Sequence, residues 1–474
     1  MTGAGGALRA WSLPKGVAPP PGSRRIIPVG AAQVEHLPVD ADWMRGLTAS
    51  LRAARRALQE RSADELAGVL GGVGARFLDP ADPLRLRALE TLPGTSGLSP
   101  AMASAVLDGM AADWTPERLR ELVRADFPDP AVLDGFVARG DGAVMALGPA
   151  LCVQVVSGSV PGVGAAALLR SLLVKAPTLV KPGRGDVVLP VLLAEAIRAE
   201  DPVLGEALAV VYWPGGDTAV EEAALKGADV VTAYGGDAAV AALRARTPVS
   251  TRFVPYHHRT SIGVVGRAGL AGGRRTQVAS EVAGAVAFFD QRGCVSPQLL
   301  FVEEGGEVSP GDFATELAAA FRSLEEHLPG GTLDDAEASA VHQLRGTAEL
   351  MAASGSGVEV HHGGAASWTV IYDPGSELGL ACVGRVLRVR PVPAVEAVPG
   401  LVAPFSDHLQ TVSVAGVGDG LGALARELAG VGVTRITGFD ATPFPPPRWH
   451  HDGMGALGAL VRWTDLEIRA PGRT

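Results

Sequence analysis

From about residue 143 onward, short apolar runs alternate with longer amphipathic ones. "ALCVQVVSG", "PTLVKPG", "LAVVYWPGG" and "ADVVTAYGG" each carry a few consecutive apolar residues and then stop at glycine or proline. Such bounded runs predict buried strands. Between them lie "VPGVGAAALLRSLLVKA", "VLPVLLAEAIRAED", "TAVEEAALKG" and "DAAVAALRART", whose spacing predicts helices. Strand and helix in alternation build βαβ units and a parallel sheet. A parallel sheet binds ligands outside the carboxyl ends of its strands. Here those ends read "SGSVPG", "VKPG", "WPGGD" and "AYGGD". No G-x-G-x-x-G follows the first strand, so the common dinucleotide fingerprint is absent.

The flanking regions differ. Residues 1–40 are rich in Pro and Gly and predict an irregular arm or edge strands. "DWMRGLTASLRAARRALQER" has helical spacing, Ser62 and Glu65 form a capping-box pattern, and Thr115–Pro116 predicts a helix start. From residue 258 a second αβ region follows. It contains the helical "GDFATELAAAFRSLEEHL" and the strand-like "ASWTVIYD" and "RVLRVRPV", with a tail that turns Pro-rich and then helical and strand-like.

Length and charge narrow the function. With 474 residues, 47% of them hydrophobic, the chain is too long for one core and predicts two or three domains. A net charge of −10 argues against general binding to nucleic acid or anionic membranes. No apolar run predicts a membrane span, and the opening stretch lacks the basic and apolar regions of a signal peptide. The three cysteines, Cys152, Cys294 and Cys382, are far apart without a CxxC, which points to a reducing cytoplasm. Cys152 and Cys382 read as structural. Three adjacent His pairs lack the spacing of a metal site, and no metal is expected.

Cys294 stands apart in "FFDQRGCVSPQLLFVEE". One reading is a buried core cysteine. The other is a nucleophile. Gly293 permits a tight turn, and Ser296–Pro297 could open a helix whose amides face the sulfur and lower its pKa below about 8.5. A thiolate so placed attacks carbonyls and thioesters.

"FFDQRGCVSPQLLFVEE", "SGSVPG", "LLVKAPTLVKPG", "VVYWPGGD", "ADVVTAYGGD" and "WHHDGMGALGALVRWTD" occur in this order. Together they resemble the LuxC-like (luminescence-type) acyl-CoA reductases, a branch of the aldehyde dehydrogenase superfamily. The resemblance runs from about residue 140 to the end. It implies an α/β, aldehyde dehydrogenase-like fold: a mostly helical region over 1–140 packed on a Rossmann-type cofactor domain over 141–257, a catalytic domain over 258–430, and a tail over 431–474 returning to the cofactor domain or an oligomer interface.

The resemblance also implies NADPH-dependent reduction of an acyl thioester, acyl-CoA or carrier-bound, to an aldehyde, with Cys294 as nucleophile. Ser159 stands where aldehyde dehydrogenases place an oxyanion-binding Asn. Cofactor contacts fall on Ser157, Gly158, Lys181, Pro182, Gly183, Gly235 and Gly236, with Arg184 as the candidate for a 2′-phosphate. Asp237 reads as an N-cap. His450, His451 and Asp452 lie in the family-like tail, either lining the acyl or carrier entrance or organising that loop. Hydrolytic relatives carry a glutamate upstream of the cysteine, whereas "VPYHHRTSIGVV" contains no acid. An aldehyde dehydrogenase and a Cys-dependent acyltransferase without nicotinamide remain the alternatives. A homo-oligomer and an acyl-activating partner enzyme are implied by the same resemblance.

Overall fold

The computed structural model describes residues 6–364, 367–375, 378–379 and 383–467; Cys382 and the first five residues lie outside these. The chain forms two compact units. One comprises residues 1–96, 107–257 and 446–474, the other 97–106 and 258–445.

The first unit is built on a six-stranded sheet. Its order is Arg252–Tyr256, Val230–Tyr234, Cys152–Val155, Thr178–Lys181, Leu208–Val211 and Trp11–Ser12. All neighbours are parallel except the last pair. Parallel strands are covered on both faces and so read as continuous apolar runs; every residue of Leu208–Val211 is buried. On one face Val153, Leu179, Val211 and Val231 pack against Met44, Leu47 and Leu51 of helix Ala41–Ala53 and Val220 of Thr218–Lys226. On the other, Gln154 donates to Ser171 of helix Val163–Leu173 at 2.7 Å and is hydrogen-bonded to Thr232, satisfying a buried polar cluster.

The predicted N-caps at Ser62 and Thr115 form, but Glu65 accepts from Arg61 and the box expected at Ser62 is present only in its Ser62 half. Ser62 and Thr115 each accept a backbone N–H three residues on. Gly162, at φ +98°, turns the chain into helix Val163–Leu173. Residues Val137–Arg139, Gly142–Leu147 and Arg462–Leu466 form a separate antiparallel sheet. The tail is less helical than its pattern predicts: its only described helical piece is the short Gly458–Leu460 turn.

The second unit holds a seven-stranded sheet ordered Glu359–His362, Thr369–Tyr372, Val386–Val392, Pro297–Glu303, Thr260–Val265, Leu409–Ala415 and Arg435–Thr437. Only the first pair is antiparallel. Side chains of Pro297–Glu303 alternate between two cores. Leu300 and Val302 meet Phe313 and Phe321 of helix Pro310–His327, while Leu299 and Phe301 meet Val398 and Leu428.

Candidate active site

Cys294 is exposed and sits in a turn. The reading as a buried core cysteine therefore does not hold. The expected helix after it is also absent: Pro297 begins the buried strand Pro297–Glu303. The apolar sequence "PQLLFVE", flanked by parallel strands, is recruited into the sheet, so no helix amides are aimed at the sulfur from that side.

What precedes Cys294 is unusual. Phe289, Asp290 and Gln291 have φ of 59°, 48° and 64°, three consecutive non-glycine residues in the left-handed region. Each costs about 1 kcal/mol or more there, so surrounding contacts must hold the turn. Asp290, buried, accepts from Arg385 Nε at 2.9 Å and lies 2.8 Å from its Nη2; its other oxygen accepts from the Gly331 amide at 3.1 Å. Arg385 is also buried and donates to the carbonyls of Leu328 and Pro329. Gln291 donates to the carbonyls of Pro297 and Val386 and accepts from the Val386 amide at 2.7 Å.

The other side of the turn is set by Ser261. Its Oγ donates to the Cys294 carbonyl at 2.6 Å and accepts from the Thr411 amide at 3.3 Å. A Cβ on Gly293 would lie 3.2 Å from the Phe289 ring and from Ser296 Oγ, a tight fit against two side chains. Phe288, Phe289 and Phe444 cluster edge to face alongside, with ring centroids 5.2 and 5.5 Å from Phe444. Cys152, by contrast, is fully buried, and burial pushes its thiol up to about 12. It is not an accessible nucleophile.

The remaining predicted residues lie in the first unit. Ser159 is exposed on the loop after Cys152–Val155. Gly158 and Gly183 pack backbone against backbone: a Cβ on Gly183 would lie 2.1 Å from the Gly158 nitrogen. That contact between "SGSVPG" and "VKPGRG" accounts for both glycines, with Ser157 and Pro182 as their neighbours. Asp186, wholly buried, accepts from the amides of Gly162 and Gly164 at 2.8 and 2.7 Å and ties the same two loops together. Burial pushes its carboxyl up to about 7 against those two bonds.

Lys181 ends its strand with its ammonium 5.7 Å from the Tyr212 ring centre. Burial lowers its pKa, Glu221 opposes that and exposed Arg184 adds to it. Gly235–Gly236 ends Val230–Tyr234, and Gly236 rather than Asp237 is the N-cap of helix Asp237–Arg246. Asp237 is displaced into the first helical turn because Gly236 already takes the extended cap conformation. No side chain caps this helix start, and a Cβ on Gly236 would meet nothing within 4 Å. A dinucleotide phosphate suits such an end, with its uncapped amides and the helix dipole.

The "WHHDG" turn lies in this unit too. His451 stacks between Trp449 and Tyr256, at 4.5 and 4.4 Å, and Tyr256 stacks on Tyr234 at 4.4 Å, next to Gly235. His450 is exposed, and Asp452 takes φ +51° in the turn. No described helix is long and apolar enough to cross a membrane.

Sequence reasoning missed Asp290 and Gln291 as a device, although both lie inside the quoted cysteine segment. The signal available was a polar Asp-Gln pair directly after an aromatic pair at a helix end. Ser261 and Arg385 carry no comparable signal, since each reaches the turn only through the sheet.

The fold is that of the aldehyde dehydrogenases. Aldehyde dehydrogenase 21 from Physcomitrella patens superposes with a TM-score of 0.75 at 15% identity, covering 99% of this chain and 100% of that one. An NAD-dependent aldehyde dehydrogenase from Sinorhizobium meliloti gives 0.74 at 15% identity, covering 99% and 95%. Within that fold the chain belongs to the acyl-CoA reductase (LuxC) family, which its residues 60–463 match. It is similar to the long-chain acyl-protein thioester reductase of Aliivibrio fischeri, 25% identical over 416 residues, covering 85% of this chain and 82% of the relative. A second such reductase, from Photobacterium leiognathi, is 24% identical with the same coverage.

Proposed function

We propose that the protein reduces an acyl thioester to an aldehyde through an acyl group carried on Cys294. The observation that carries this reading is an exposed cysteine on a turn held by buried polar contacts, in a chain of the acyl-CoA reductase family. The Cys294 thiolate attacks the thioester carbonyl; the carrier thiolate leaves and takes a proton, and an S-acyl enzyme remains. The backbone amide of Cys294 and the hydroxyl of Ser159 are the proposed donors to the developing oxyanion. A reduced nicotinamide dinucleotide, when bound, supplies a hydride to the acyl carbon. The thiohemiacetal on Cys294 then expels the thiolate and releases the aldehyde.

Lys181, with Gly235–Gly236 and the uncapped helix start at Asp237, would hold the dinucleotide, and Arg184 would meet a 2′-phosphate if the cofactor is NADPH. His450, His451 and Asp452 are proposed to border the acyl or carrier entrance. The Phe288, Phe289 and Phe444 cluster supports an apolar acyl group. The sequence upstream of Cys294 contains no acid between residues 254 and 265, which favours reduction over hydrolysis. Exposed Trp463, Leu466 and Phe136 on or beside the antiparallel sheet support self-association.

The test follows NADPH and NADH absorbance with acyl-CoAs of increasing length and with an acylated carrier protein, trapping aldehyde with a hydrazine. Cofactor oxidation matched by aldehyde is the expected result. Cys294→Ala should abolish both aldehyde and the acyl adduct seen by intact mass. A Cys294→Ala chain that still makes aldehyde overturns the nucleophile, and acylation without cofactor oxidation would make the protein an acyltransferase.

A further inference from the structure

The dinucleotide site proposed above stands at the carboxyl ends of the first unit's strands. The opposite edge of that sheet holds a cleft of about 360 Å³, at the amino ends of Cys152–Val155, Val230–Tyr234 and Arg252–Tyr256. That volume lies within the range of small-molecule pockets. Four guanidiniums line it: Arg52 from helix Ala41–Ala53, Arg55 from helix Arg55–Gln59, Arg252 at the start of its strand and Arg462 at the start of Arg462–Leu466. Asp229 is the one carboxylate on the wall among the described residues. The cleft therefore sets four positive charges against one negative, in a chain whose net charge is −10.

Three of the guanidiniums are aimed by backbone carbonyls. Arg52 donates to Gly227 at 3.0 Å, Arg55 to Gly148 at 3.1 Å, and Arg252 to Ala459 at 3.2 Å and to Val461. A carbonyl fixes direction without neutralising charge. Arg52 pairs with Asp229 at 2.9 Å, while Arg55, Arg252 and Arg462 make no ion pair among the described residues. Asp229 is itself shared with the Leu151 amide at 3.0 Å. Arg252, Arg462 and Ser250 are exposed, and Arg52 keeps 41% of its side-chain surface, so donors stay open to solvent. Like charges held in one concave site focus a positive potential. Each guanidinium also offers a planar fork that suits phosphate oxygens. We propose that this cleft binds a small molecule bearing two linked phosphate groups, separately from the dinucleotide site. Two linked phosphates carry enough charge to offset the excess, and the cleft's size and the chain's net negative charge favour such an anion over a nucleic-acid backbone. The ligand joins helix Ala41–Ala53, the sheet edge and strand Arg462–Leu466, and so stabilises the first unit.

The probe is inorganic pyrophosphate, titrated calorimetrically into the full chain at about 0.15 M ionic strength. The native chain should bind it in the micromolar range and melt at a higher temperature in its presence. Sulfate, a single anionic group, should bind about tenfold more weakly or worse. The Arg462 side chain makes no hydrogen bond or ion pair among the described residues, so Arg462→Gln should fold as the native chain does. It should lose about tenfold in pyrophosphate affinity, the worth of one charge-assisted hydrogen bond. Arg252→Gln should lose a similar factor. Saturating NADH or NADPH, and Lys181→Ala, should leave the pyrophosphate affinity unchanged. No heat at millimolar pyrophosphate, equal binding of sulfate (an adventitious ion only), or native affinity in both arginine variants overturns the proposal. Displacement of pyrophosphate by either dinucleotide would put the anion at the dinucleotide site and overturns it as well. Should Arg252→Gln not fold, Arg462→Gln alone decides.

Discussion

Replacing Gln291 by Leu tests whether the left-handed turn before Cys294 is held as described. The side chain is buried and makes three bonds to backbone: it donates to Pro297 O and Val386 O and accepts from Val386 N at 2.7 Å. Leucine fills a similar space and satisfies none of them. A buried polar group left without a partner costs about 1–3 kcal/mol. The Val386 amide and the two carbonyls therefore put the loss on the order of 3 kcal/mol or more, and three left-handed residues held at about 1 kcal/mol each lose part of what offsets them. The loss should be local, because Val386 begins its strand at the end nearest the turn. Hydrogen exchange by mass spectrometry should show the Val386 amide and residues 289–294 opening, while helix Pro310–His327 stays protected. Acylation of Cys294 should slow with it. Unchanged protection at Val386 together with a stability loss under about 1 kcal/mol would refute the reasoning.

Two further outcomes follow from the first unit. Lys181→Ala should raise the Michaelis constant for the nicotinamide cofactor more than that for the thioester, and equal rises would make the lysine structural. The buried Asp186 carboxyl is raised from 3.8 to about 7, so folding favours its protonated form. Its contribution to stability is present at low pH and is lost as pH rises from about 4 to about 7. Melting curves of the native chain and Asp186→Asn across pH 4 to 9 should diverge over that interval and run parallel above it; curves parallel throughout would refute the assignment.

Most of the alternating strands and helices between residues 150 and 247 could be read from the chain, because a parallel strand buried on both faces must be an unbroken apolar run and the helices between them keep a helical period. The helix starts at Ser62 and Thr115 were legible for the same local reason: a side-chain oxygen three residues before an amide decides them. The unusual cysteine segment was visible as well. Its geometry was not. "SPQLLFVE" reads locally as either a helix start or a strand, and pairing with Thr260–Val265 and Val386–Val392 decides for the strand. Asp290 and Arg385 are 95 residues apart, and Ser261 and Thr411 are 150 apart. Such pairs have no signature in a local pattern, since a hydrogen bond depends on distance in space and neighbours in a sheet are set by the order of its strands. The sequence by itself determined which segments must be buried and where an exposed thiol was worth seeking; only the tertiary structure decided which charges and amides surround it.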